Sequence, residues 1–136
     1  MHFRFHDQFV FQRLLLGLTT DHATLQNTLD RTISALEFIR QNADKAIKVS
    51  DVVQHLGVSR RLADLRFREI QGESILETIT RCRLAEIEKR LLTTNLSIRK
   101  IARNCGFSSV SYLETLFTRR YGETLHRYRQ SHQSFR

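Results

Sequence analysis

Apolar residues recur at three- and four-residue spacings through most of this chain. Leu29, Ile33, Leu36 and Ile39 form one such row and predict a helix face that ends near Asn42. Ser50 is positioned to cap a short segment with Val52, Val53 and Leu56 on its inner side, and Gly57 stops it. Ser59 caps a further helix with the stripe Ala63, Phe67, Ile70, closed by Gly72. Ser74 and Glu77 then form an S-x-x-E capping box ahead of a long pattern through Ile75, Ile79, Cys82, Leu84, Ile87 and Leu91, to about Thr94. Ser97 starts a segment with Ile98, Ile101, Ala102 and Cys105 inside, stopped by Gly106. Ser108 and Ser109 start a helix carrying Leu113, Leu116 and Phe117, ended by Gly122, and Thr124 caps a last segment with Leu125 and Tyr128. Strand signals are nearly absent. The expectation is an all-α fold of seven helices.

Two parts of this pattern match. SDVVQHLGVSRRLADLRFREIQGES and SIRKIARNCGFSSVSYLETLFTRRYGET each run from a short helix through Gly, an apolar residue and Ser into a second helix. The pair Val52 and Ile101 is offset by 49 residues, and Phe67 and Phe117 by 50. This is an internal duplication of a helix-corner-helix unit. A glycine corner lets the first helix brace the second, and a braced helix can project into a major groove and present side chains to base edges. One such match is weak, because any α-protein contains packed helix pairs; two matched copies are much stronger. The 21 residues from Ser74 to Thr94 span roughly 30 Å at 1.5 Å per residue, close to the 34–36 Å between successive major-groove faces of B-DNA. A linker helix of that length suits two reading helices in adjacent turns.

The charge agrees with that reading. The net charge is +8, and residues 1–59 hold six Lys or Arg against six Asp or Glu, so the whole excess falls in residues 60–136. One-sided positive charge points first to nucleic acid and second to an acidic membrane surface. Nothing approaches a membrane-spanning run, and the apolar N-terminus is broken by Gln12 and Arg13, so no export signal is read. Cys82 and Cys105 lie on apolar helical positions with no CxxC spacing, which predicts buried free thiols and a cytoplasmic setting. The six histidines are scattered with no HExxH motif, and no phosphate loop or nucleophile motif occurs. No metal, no cofactor and no catalysis are expected.

The stretch IARNCGFSSVSYLETLFTRRYGETLHRYR resembles the second helix-turn-helix of the AraC/XylS family of bacterial transcription regulators. SRRLADLRFREIQGESILETITRCRLAEIEKRLL resembles the first unit with its connecting helix, in a form most like xylose-regulator members. The resemblance covers about residues 31–130. It implies a double helix-turn-helix of two three-helix subdomains joined by a linker helix, and sequence-specific binding to double-stranded promoter DNA. The first helix-turn-helix is expected at about 50–71, the linker at about 74–94 and the second at about 97–121, within a domain spanning 29–132. One departure is local: Leu125 stands where the family usually has Pro. Residues 1–28 are read as an extension or the stub of an absent effector domain. Their Phe3, Phe5, Phe9, Phe11, Leu14, Leu15 and Leu16 would need cover from the core or a partner. The resemblance also implies a second partner, RNA polymerase, and an effector such as a sugar acting through a domain outside this chain.

On the first reading helix, Arg60 and Arg61 suit guanine O6 and N7. Asp64 either accepts from cytosine N4 or orients a neighbouring arginine. Leu65 either touches a thymine methyl or lies in the core. The second reading helix offers Ser109, Val110, Ser111 and Thr115, which allow close approach but few bidentate bonds. The first unit is therefore expected to supply most of the base reading. Arg68, Lys100, Arg119 and Arg120 are candidates for phosphate, as are the backbone N–H groups near Ser50 and Ser97. Two rival readings are the targeting half of a repair protein and a protein-interaction module that has abandoned DNA. No reactive cysteine cluster favours the first, and the arginines of the first reading helix speak against the second.

Overall fold

The structure, a computed structural model, describes residues 22–133; the apolar N-terminal residues singled out above lie outside that range. Among the described residues there are seven α-helices and no strand. They are α1 (His22–Gln41), α2 (Val49–Leu56), α3 (Arg60–Gln71), α4 (Ile75–Thr93), α5 (Ile98–Asn104), α6 (Val110–Tyr121) and α7 (Leu125–His132). They divide into two compact units. One comprises residues 22–41 with 48–79, the other Asn42–Ile47 with 80–133.

In the first unit α1 packs on α2 and α3. Its buried row is Leu25, Thr32, Ala35, Leu36 and Ile39, so α1 starts at His22, well before Leu29. Ile33, expected in that row, is 39% exposed. It sits at the edge of the face, and Thr32 takes the inward place because its hydroxyl is satisfied by the Thr28 carbonyl at 2.8 Å. Val52, Leu56, Ala63 and Phe67 close the core from α2 and α3, each at 0–1% exposure.

The start of α2 differs from expectation. Its cap is Lys48, and the Asp51 carboxylate accepts the Lys48 N–H at 2.8 Å. An acid at the third helical position satisfies the cap and faces the positive end of the helix dipole, so it displaces Ser50 into the first turn. Gly57 follows at φ +71°, and Arg31 Nη1 reaches the Leu56 carbonyl at 3.4 Å.

In the second unit Leu84, Ile87, Leu91, Ile101, Ala102, Cys105, Leu113, Phe117, Leu125 and Tyr128 form one core cluster. Phe117 lies at its centre, stacked on Tyr121 at 4.4 Å and edge-on to Tyr128 at 5.3 Å. Burial pushes the Cys105 thiol up to about 11, so it stays protonated and inert at neutral pH. Arg129 closes the end of α4: its guanidinium donates to Leu91 O in the last turn and to Thr94 O and Leu96 O just beyond it, at 3.2, 3.2 and 2.7 Å. The carbonyls of a last helical turn have no intrahelical partner, and a cation is favoured at that end of the dipole. The Asn42–Ile47 turn is held by Arg83 Nη2 on Ile47 O at 2.6 Å and Arg90 Nη2 on Asp44 Oδ2 at 3.3 Å.

Candidate nucleic-acid interface

Each unit presents one braced helix behind a tight corner. In the first, Gly57 releases the chain from α2, and Ser59 Oγ accepts the Leu62 N–H at 3.2 Å to start α3. In the second, Gly106 at φ +84° does the same after α5, and Ser109 Oγ accepts the Tyr112 N–H at 3.2 Å to start α6. The Gly106 corner is the tighter of the two. A Cβ there would stand 3.1 Å from Arg83 Cζ and 3.2 Å from the Ala46 backbone, whereas at Gly57 the nearest atom is the end of a flexible arginine at 3.4 Å.

The buried stripes leave the predicted readers outside. Ala63 and Phe67 are fully buried, which turns Arg60, Arg61 and Leu65 to the surface. Leu65 is 50% exposed, so of its two readings only the surface one remains. Arg60, Arg61, Asp64 and Arg68 line one groove with Val49, Ser74 and Leu76. Asp64 is already engaged there: Oδ2 accepts from Arg68 Nε at 2.9 Å, and Oδ1 accepts the Ile75 N–H at 3.4 Å. The Arg68 hydrogen bond outweighs burial and holds the Asp64 carboxyl below its ordinary value. Each oxygen keeps a second lone pair, through which a base amine could still be met.

The second unit repeats this tether. Glu114, 50 residues after Asp64, accepts the Leu125 N–H at 2.8 Å through Oε2, as Asp64 accepts from Ile75. In both units a carboxylate in the middle of the reading helix thus satisfies the first amide of the following helix. That amide has no intrahelical partner, so the bond fixes how the reading helix is rolled against its neighbour. The position where the AraC/XylS pattern has Pro now has a reason to be Leu, because a proline would have no N–H to give Glu114.

Ser109, Val110, Ser111 and Thr115 are all exposed on α6. Their hydroxyl chemistry is partly spent: Ser109 Oγ caps the helix, and the Thr115 hydroxyl donates to the Ser111 carbonyl at 3.1 Å. Among the phosphate candidates, Ser50 and Ser97 are exposed, and Ser97 Oγ accepts the Lys100 N–H at 3.1 Å. Arg119 and Arg120 are exposed in the last turn of α6, with Arg120 5.9 Å over the Tyr121 ring. The groove beside the start of α6 is lined instead by Arg99, Ala102, Arg103, Phe107, Ser108 and Val110. Sequence reasoning passed over Arg99 and Arg103, although their i, i+4 spacing opposite Ile101 and Ala102 marks the outer face of α5. It also passed over Val49, Leu76 and Glu114, of which the last was reachable from the 50-residue offset. Among the described residues no cluster of His, Cys, Asp or Glu could hold a metal, and no helix is long and apolar enough to cross a membrane.

The sequence and the fold both have known relatives. A family described as a helix-turn-helix domain matches residues 52–131. The xylose operon regulatory protein of Escherichia coli (strain K12) is 35% identical over 117 residues, which is 86% of this chain and 29% of that protein. The structure of the xylose-binding transcription activator xylR superposes with a TM-score of 0.70 at 34% identity, covering 77% of this chain and 28% of that one. The DNA-binding domain of AdpA, a global transcriptional factor solved in complex with a target DNA, superposes with a TM-score of 0.69 at 25% identity, covering 73% of this chain and 89% of that one. This chain spans less than a third of the xylose regulator's length.

Proposed function

The chain belongs to the AraC-type helix-turn-helix family, and on that premise we propose that it binds promoter DNA sequence-specifically by inserting α3 and α6 into adjacent major-groove turns. The observation that carries this reading is the duplicated unit, in which each exposed reading helix stands behind a glycine corner and is tethered by a mid-helix carboxylate. The AdpA relative, solved with a target DNA, adds the ligand class. The 19-residue α4 is about 28 Å long, a suitable spacer for neighbouring turns of a duplex.

Arg60, Arg61 and Leu65 are the principal base readers in this proposal, with Asp64 holding the tether and using its spare lone pairs towards cytosine. Ser109, Val110, Ser111 and Thr115 make closer, less selective contacts. Arg68, Lys100, Arg119, Arg120 and the amides near Ser50 and Ser97 meet phosphate. Control by a sugar, and contact with RNA polymerase, would be carried by the regulator as a whole; the xylose operon relative is more than three times longer than the segment it shares with this chain.

Selection from a randomised pool of about 30-bp duplexes at near-physiological salt tests the proposal. Two enriched blocks about 10–10.5 bp apart are expected. A pool that stays random while the protein binds would reduce it to a general phosphate binder.

A further inference from the structure

The two units carry their arginines on different helices. In the first, Arg60 and Arg61 stand in the first turn of the reading helix, and the exposed positions of the bracing helix include Ser50 and Gln54, neither of them basic. In the second, the first turn of the reading helix holds Val110 and Ser111, and the positions matching Ser50 and Gln54 at the 49-residue offset are Arg99 and Arg103. Both are exposed, one helical turn apart on α5, and both line the groove that opens beside Ser108 and Val110 at the start of α6. Each unit therefore keeps two arginines at the mouth of its reading helix, by different routes.

These guanidinium groups are also uncommitted. Arg40, Arg68 and Arg90 are paired with acids at 3.8, 2.9 and 3.1 Å respectively. Among the described residues no carboxylate lies within ion-pair distance of Arg99 or Arg103. A planar guanidinium with no internal partner suits bidentate recognition of a phosphate.

We propose that Arg99 and Arg103 form a clamp on the DNA backbone, gripping two phosphodiesters that flank the bases faced by α6. The clamp supplies affinity to the second unit, whose reading helix carries only hydroxyls and a valine at the same place. This rests on the reading of the chain as a duplex-binding protein, and the test separates the two.

The test measures binding of the full chain to a selected duplex and to a scrambled one across a salt series, with Arg99→Gln/Arg103→Gln beside Lys45→Gln/Arg127→Gln as a control of equal charge loss. Circular dichroism melts check that all variants fold. The expected result is a log K against log salt slope shallower by about 1.8, at 0.9 per phosphate, for the arginine pair. Both duplexes should lose affinity by the same factor, and the control should change the slope by less than half as much. An unchanged slope, an equal change in the control, or a loss confined to the selected duplex would overturn the clamp. Failure of the unsubstituted chain to bind either duplex would overturn the DNA reading itself.

Discussion

The first unit places Arg60 and Arg61 on its reading helix; the second places Arg99 and Arg103 on its bracing helix and leaves Val110 to line the groove, with Ser111 exposed beside it. Around that difference the frame is held constant: a buried Phe at 67 and 117, a positive-φ glycine at 57 and 106, and a carboxylate tether at 64 and 114. The frame needs fixed volumes and amide partners, so it tolerates little variation. The groove mouth needs only positive charge at a given place, and two helices can deliver it. In the proposed binding mode base reading depends on which helix delivers it, so the same charge would carry sequence information in one unit and anchoring in the other.

The frame's equivalence is broken most severely at its core. Phe67→Ala and Phe117→Ala should each cost about 3–5 kcal/mol, since both rings are fully buried. Urea unfolding followed by circular dichroism checks this, and a large inequality would mean that the units do not share one packing plan.

The corners come next, and here the units should part. Gly57→Ala carries the cost of a left-handed φ, roughly 1–2 kcal/mol. Gly106→Ala adds a contact with the Ala46 backbone that cannot move away, so its melting temperature should fall further. Equal melting temperatures would show that the second corner is no tighter than the first.

At the groove mouths, Arg61→Ala should cost about 1–3 kcal/mol of DNA affinity and relax one base position, while Ser111→Ala changes the preferred sequence less. Competition binding with single-base variants of the selected site measures both.

The tethers should give the smallest effects. Glu114→Ala removes the acceptor of the Leu125 amide and should cost about 1 kcal/mol, and Glu114→Gln should restore most of it. In the first unit the tether titrates. Arg68 holds the Asp64 carboxyl below its unfolded value, so its stabilisation is complete above that value of about 3.9 and fades as pH falls through the lower folded one. The difference in stability between Asp64→Asn and the unsubstituted chain should therefore shrink on acidification below about pH 4 and stay flat from pH 5 to 7.

Much of this was legible in the chain itself. The seven helices follow from apolar spacing and from Ser59, Ser97, Ser109 and Thr124, each of which caps through its side chain. The first mouth was visible because Arg60 and Arg61 are adjacent to a cap. The second was not, because Arg99 and Arg103 reach it from a different helix, and proximity across a corner leaves no mark in local spacing. Ser50 stands just ahead of Val52 and Val53 and so has the look of a cap, yet Asp51 satisfies the Lys48 amide and sets the cap at Lys48. Ile33 fitted the helical row by number, but Thr32 fills the buried place once its hydroxyl is bonded along the helix.

The division of labour between the units is the central claim, and repeating the duplex selection with two variants tests it most directly. One carries Arg60→Ala and Arg61→Ala, the other Ser109→Ala and Ser111→Ala. The account predicts that the arginine variant flattens the stronger of the two enriched blocks, while the serine variant leaves that block intact. A stronger block that survives loss of both arginines, or that disappears with the serines, would contradict it.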